Sequence, residues 1–482
     1  MQRRRFLKLS SVTSAVLFSS LLMDSSELNV KEIRKNLLTN DFYKKLDIPP
    51  LLEGKEIKGV YHYDLNIQEA EHAFFKNRLT NTYAVNGTYL APTLKLINGQ
   101  QVSINYTNNL KETTTMHGHG MHLPANMDGS AHQPIYPNET WSAQYTVNQR
   151  ACTNWYHPHA MDKTAEHVYQ GLAGLLIIED EESQKLDLPK NYGVDDIPLV
   201  LQDRFFDRNG QIYYNPTMHQ TMMGYKGDTF ISNGVINPYL EVEAKEIRFR
   251  LLNGANSTVY ELAFSDNRTF KQIAGDNSFL EKPVEMNSLR LSPGERAEII
   301  VNLSNDKGIS LTLDEIRQGK SFLKIDVTQK ATSTTTVPKV LTSLIKLSKN
   351  SVIRERKFVL SGRMGRVFIN NKKMNMNRID EVLKLNETEI WEITNKRMMM
   401  MRMEHNFHIH GTHFMVIERN GSYDNVLENE RGYKDTVYLA AGDTVKIIMK
   451  MTDYVDKKVP YMYHCHFLEH EDAGMMGQFT VE

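Results

Sequence analysis

Tyr463-His464-Cys465-His466-Phe467-Leu468-Glu469-His470, followed by Met475, places several metal-ligand residue types within a dozen positions. It also contains one of only two cysteines in the chain. Read as the end of a β-strand, His464 and His466 point to one face and Cys465 to the other. A metal held by Cys465 is then covalently wired to histidines that serve another metal on the opposite side. A cysteine thiolate, an imidazole at His470 and a thioether at Met475 have the softness of a type 1 (blue) copper centre. Such a centre takes two histidines and a cysteine in a plane with a weak axial methionine. One histidine is missing from this stretch and must come from elsewhere, as must partners for His464 and His466.

Ten of the 17 histidines fall in four short motifs. These are His117-Gly118-His119, His157-Pro158-His159, His405-Asn406-Phe407-His408-Ile409-His410, and the closing His464-Cys465-His466 with His470. Each His-x-His on a strand presents two imidazoles on one face. One such pair alone reads as a surface or satisfied core pair, and two or three as a zinc site. Four pairs, one of them split by a cysteine, point to copper. The eight imidazoles at one interface can hold three copper ions with room for dioxygen. His405 stands outside that set and supplies the missing imidazole for the Cys465 copper. The other histidines (62, 72, 122, 132, 167, 219 and 413) read as structural or surface, and Cys152 as an inert core thiol.

The elements that position these motifs are strands. Val60 to Ile67 alternates apolar and polar residues, and Asn98-Gly99 between two such runs signals a hairpin. Residues 26 to 55 read as a short helical lead-in. A unit built around Val85-Asn86-Gly87 recurs at Ser232-Asn233-Gly234 and at Ile369-Asn370-Asn371. The asparagines are 147 and 137 positions apart (233 − 86 and 370 − 233), too long a period for a solenoid and right for duplicated domains. Polar, Pro-containing linkers lie at 181–191 and 328–338. The expectation is an all-β chain of three cupredoxin-like Greek-key β-sandwich domains at 45–185, 186–338 and 339–482.

A chain of 482 residues is too long for one ordinary core. A net charge of −1 gives no sign of nucleic acid or of an acidic membrane surface as partner. No interior run is apolar enough to span a membrane. Arg3-Arg4-Arg5-Phe6-Leu7-Lys8 before an apolar segment reads as a signal peptide over 1–25, of the twin-arginine type, hence export to the periplasm or beyond. That route carries folded proteins, which suits one that loads metal before export. With Cys465 a ligand, no internal disulfide is expected, and the mature protein is expected to be a monomer.

The four motifs resemble those of three-domain multicopper oxidases, closest to bacterial copper-efflux (cuprous) oxidases and bacterial laccases, from about residue 55 onward. The resemblance implies four copper ions. Type 1 copper falls to His405, Cys465, His470 and Met475. Type 2 falls to His117 and His408, and the type 3 pair to His119, His157, His159, His410, His464 and His466. It also implies one-electron oxidation of a reductant coupled to reduction of O2 to water. Glu471 and Asp128 resemble the family's proton-relay acids. Two positions depart from the usual pattern: Gly118 stands where Trp is usual, and Asn406 where Pro is usual.

Met398-Met399-Met400-Met401-Arg402-Met403 runs into Glu404-His405, and soft thioethers favour Cu(I). Met401 and Met403 are therefore the expected Cu(I) docking residues, in an enzyme of copper tolerance. The long Met- and His-rich insertion of some copper-efflux oxidases is absent, which keeps phenol oxidation of the laccase type, and ferroxidase activity, in play. A structural cell-division relative lacking copper ligands is the non-enzyme alternative; the twelve filled ligand positions argue against it. A storage protein has no need of a cysteine bridged between two histidines, and three repeats exclude a two-domain copper nitrite reductase.

Overall fold

A computed structural model describes residues 44–331, 335–363, 365–397 and 402–482. The signal segment at 1–25, the lead-in to residue 43 and the methionines at 398–401, Met401 among them, lie outside the described residues.

The chain folds as three pairs of β-sheets, so the expected all-β class is what is seen. In the first pair, Leu51–Leu52, Thr93–Ile97, Gly174–Glu179, Cys152–His157 and His117–His119 lie side by side in that order. They face a second sheet built on Val60–Phe75 and Gln101–Asn108. The central pair has seven and five strands, and the last pair has five and five. Each pair encloses its own apolar core: Leu94, Ile104 and Tyr106 in the first, Ile197, Phe249 and Ile325 in the second, Phe358, Trp391 and Phe479 in the third. One contiguous core per domain is the pattern of independent folding units. In all three, each sheet contains a parallel pair, and one of them recurs: Val60–Phe75 beside Gln101–Asn108, Asp196–Arg204 beside Glu246–Asn253, and Val352–Arg363 beside Thr388–Asn395. Parallel neighbours need a crossover, here made through the facing sheet in Greek-key fashion.

The repeated asparagines explain why the unit recurs. Asn86, Asn233 and Asn370 all have positive φ, at 53°, 48° and 51°. Each side chain then docks on the backbone of the neighbouring strand in the same way. Asn86 Oδ1 accepts from Asn66 N and its Nδ2 donates to Asp64 O. Asn233 does so with Val200 and Pro198, and Asn370 with Val359 and Lys357. Asparagine tolerates the left-handed region and carries both a donor and an acceptor, so it closes each turn alone.

Two local expectations are corrected. The described part of the lead-in, residues 44 to 55, is extended rather than helical. Leu51–Leu52 pairs with Thr93–Leu94, and Lys45 bridges to Tyr239 in the second domain. Pro49 and Pro50 forbid a helix there. Asn98-Gly99 does not make a hairpin: Thr93–Ile97 and Gln101–Asn108 belong to opposite sheets. Gln100 N donates to Ile97 O, and only Gly99 of the two central residues has positive φ, 90°. That is a type II turn, whose twist does not suit a two-residue hairpin.

Candidate metal centre

Adjacent strands bring the motifs together in pairs. His117–His119 runs antiparallel to Cys152–His157, with His117 opposite His157. His405–Ile409 runs antiparallel to Asp456–His464, with His408 opposite His464. The two strand pairs face each other across the junction of the first and third domains. All ten motif histidines are at most 1% exposed, and Cys465 and Met475 are fully buried.

The twelve expected residues fall into two groups. In the larger, His119, His157 and His466 have ligand atoms within 4.8 Å of one another, and so do His159, His410 and His464. His117 and His408 join them through a third trio with His119. In the first trio His157 Nε2 lies 3.4 Å from His119 Nδ1 and 3.4 Å from His466 Nε2. In the second, His464 Nε2 lies 3.2 Å from His159 Nε2 and 3.0 Å from His410 Nε2. Cys465 turns the other way, as the alternation requires. Its Sγ lies 3.5 Å from His405 Nδ1 and 3.5 Å from His470 Nδ1, and these two nitrogens are 3.2 Å apart. Met475 shares this apolar core, and its carbonyl accepts from Cys465 N.

The tautomers fit metal binding. His117 Nδ1 donates to Asp128 O at 2.8 Å, and His408 Nδ1 to Asp435 O at 2.9 Å. Their Nε2 atoms therefore carry lone pairs, and both are buried with no hydrogen-bond partner. Two orphaned acceptors aimed into an imidazole cluster cost free energy unless a Lewis acid takes them. His157 Nδ1 donates to Pro158 O, and His410 Nδ1 to Asp128 Oδ2. His119 alone is inverted: its Nε2 faces Asp435 Oδ1 at 2.9 Å, leaving Nδ1 for the cluster. Burial holds His159 and His408 near a pKa of about 4, so both are neutral at neutral pH, the form that can ligate a metal. Burial likewise pushes the Cys465 thiol up to about 12 without metal, so loading must displace its proton.

Carboxylates surround the cluster. Asp128 spans His410 and His117; burial raises its pKa, but those two rings outweigh burial and hold it well below the usual carboxylate range. Glu471 is fully buried, with Oε2 3.1 Å from His464 Nδ1 and Oε1 3.5 Å from His159 Nε2. Burial pushes its carboxyl above the usual range. Asp435, not singled out from the sequence, accepts from His119 and from both terminal nitrogens of Arg296. Arg296, from the second domain, also donates to Asn154 Oδ1, so one guanidinium ties all three domains beneath the cluster. No sequence spacing announces it. Gly120 is required here: its φ is +79°, and a Cβ would lie 2.5 Å from Asp435 Oδ2. At Gly118, the space of the usual tryptophan is taken by Met121, whose Cγ would be 3.0 Å from an added Cβ.

The cysteine group is roofed by the second domain. Helix Met218–Met223, capped by Thr217, sets Met222 O 2.9 Å from His470 Nε2, so the outward nitrogen of that ring is occupied. Met222 and Met403 are both buried and meet over Gly362, where an added Cβ would lie 3.0 Å from Met403 Sδ and 3.3 Å from Met222 Cε. Met218 lies against Gly365 and is 73% exposed. The meeting of Met222 with Met403 was not read from the sequence, because the two lie 181 positions apart (403 − 222). Several remaining histidines have ordinary partners: His122 with Asp453 and Gly411 O, His413 with Gly120 O, His167 with Thr114, His72 with Gly234 O.

Family descriptions reading "Multicopper oxidase" match residues 66–183, 195–311 and 342–482. The chain is 38% identical over 462 residues to the multicopper oxidase mco of Staphylococcus haemolyticus, covering 95% of this chain and 97% of that one. It is 36% identical to the cell division protein FtsP of Xenorhabdus nematophila, over 91% and 92% of the two chains. The crystal structure of a laccase from Pediococcus acidilactici superposes with a TM-score of 0.85 at 35% identity, over 92% of this chain and 94% of that one.

Proposed function

Because the chain belongs to the multicopper oxidase family, we propose that it couples one-electron oxidation of Cu(I) to the four-electron reduction of O2 to water, in copper tolerance. The reading includes export through the twin-arginine signal, a monomer, and domain limits at 45–185, 186–338 and 339–482. His405, Cys465, His470 and Met475 would hold type 1 copper, His117 and His408 type 2, and the two trios the type 3 pair. Copper bound there would supply one-electron redox chemistry at the thiolate and dioxygen reduction at the imidazoles.

The chain's own residues do the rest. Cys465 is bonded directly to His464 and His466, so an electron entering at its sulfur has a covalent path to both trios. O2 reduction consumes protons, and the two acids are shifted in opposite directions. Glu471, whose carboxyl burial shifts towards the protonated form, is the proposed proton donor beside His464 and His159. Asp128 stays ionised and orients His410 and His117.

The observation that carries the choice of reductant is the capped ring of His470. A phenol oxidised at an exposed imidazole edge has no such edge here, because Met222 O holds Nε2. The capping helix instead offers thioethers, from Met218 inward to Met222 and Met403, and soft sulfur suits Cu(I). Met401 belongs to the same proposed dock. Phenol oxidation is the second reading, supported by the likeness to a laccase. A cell-division role, suggested by the FtsP likeness, does not account for the orphaned imidazole nitrogens. Oxygen uptake by copper-loaded protein tests the choice through kcat/KM for Cu(I) and for 2,6-dimethoxyphenol. A large preference for Cu(I) supports this reading. Preference for the phenol makes the protein a laccase.

A further inference from the structure

Asn406 stands where proline is usual, and its amide is held by three partners. It lies in the strand His405–Ile409 and is fully buried. Its Nδ2 donates to Ser292 Oγ at 3.1 Å and to Pro293 O at 2.8 Å, both on the second domain. Its Oδ1 accepts from His466 N at 2.6 Å, and the same oxygen lies 3.7 Å from Cys465 Sγ. The amide cannot be turned over. A flip sets NH2 against the His466 N–H and oxygen against the Pro293 carbonyl, two like pairs. The negative end of the dipole is thus fixed beside the sulfur. Any residue but proline at 406 keeps the backbone N–H, so a side-chain substitution there tests the amide alone.

We infer that Asn406 sets the reduction potential of the His405–Cys465–His470 centre, holding it down by presenting its amide oxygen to the cysteine sulfur. The inference rests on the type 1 reading of that trio. Reduction adds one electron, and the sulfur carries part of the added charge. An oxygen dipole locked beside it opposes that gain, more strongly in a buried site than in water. Because the amide is pinned to the second domain, it cannot swing aside as the charge changes. Asn406 is therefore a positioning and tuning residue rather than a ligand.

The test is a poised redox titration of the blue thiolate-to-copper absorption in copper-loaded full chain, comparing wild type with Asn406→Leu and Asn406→Asp. Leucine fills the space without a dipole. It should raise the midpoint by about 59 mV, a tenfold change in a one-electron equilibrium. Aspartate keeps an oxygen on the His466 N–H whether ionised or protonated towards Pro293 O, so its midpoint should stay at or below wild type. A leucine midpoint at or below wild type overturns the inference, and so does an aspartate midpoint above wild type. Should the leucine variant fail to load copper, aspartate still decides: a raised midpoint overturns the inference, and one at or below wild type supports it. Absence of the blue band in wild type overturns the type 1 reading and this inference with it, a failure distinct from a band that titrates at the wrong potential.

Discussion

The thiolate centre and the imidazole cluster are built in opposite ways. His405, Cys465, His470 and Met475 all come from the third domain, with Cys465 and Met475 in the core that also holds Phe358 and Trp391. The second domain only roofs them. The cluster is divided evenly: four imidazoles from the first domain meet four from the third, and Arg296 of the second clamps Asp435 beneath them. One centre is a property of a single fold; the other is a property of an assembly. Damage to the first should be local, whereas damage to the second should track the joints between domains.

The largest expected effect comes from cutting the link between them. Cys465→Ser should abolish the blue absorption and drop turnover below ~1% of wild type, because no other residue joins the two centres covalently. Retained blue colour defeats the assignment. Glu471→Gln should keep the blue band but lower kcat roughly 10²-fold, the usual worth of a positioned acid. An unchanged kcat assigns Glu471 to packing. Asp435→Asn should keep the blue band and weaken copper retention by the cluster about 10–100-fold, measured by copper content after dialysis against a chelator. Equal loss from both centres erases the distinction between local and shared. Replacing Met401 and Met403 with leucine should raise KM for Cu(I) severalfold more than KM for a phenol, in line with lost soft ligation. Equal effects reduce the run to an apolar patch.

The smallest effect concerns the joints. Glu298 is buried between Arg248 and Arg250 of its own domain and Thr153 of the first. Burial alone raises its pKa, but the two arginines outweigh burial and bring it down to about 2. A depressed pKa stabilises the fold above the unfolded value of 4.5, and that stability is lost as pH falls from there towards 2. The loss is about 3 kcal/mol on full protonation. Glu298→Gln should flatten the acid limb of the thermal stability curve; an unchanged limb removes this joint from the argument.

This contrast also marks what the sequence made legible. The thiolate centre could be read almost whole, since three of its residues lie in one stretch and period-two alternation fixes which way each points. The four His-x-His pairs were legible for the same reason. The supports were not. Asp435 and Arg296 meet across 139 positions, and neither has a spacing that implies the other. The roofing helix is short and bears on His470 through a backbone carbonyl, which any residue supplies. The repeated asparagines were visible as a period, but their docking needs coordinates. The Asn98-Gly99 hairpin failed because dipeptide preference does not say which sheet the next strand joins.

Dividing the cluster between distant segments also imposes a timetable. His159 meets His464, 305 positions later in the chain. At a synthesis rate of about 5–20 residues per second, the first domain's four imidazoles wait about 15–60 s for their partners. During that wait they form half a site. A metal captured early meets only histidines, with no thiolate. Completion of the cluster therefore reports that both ends of the assembly have folded and docked, and its metal content is a record of quality control passed.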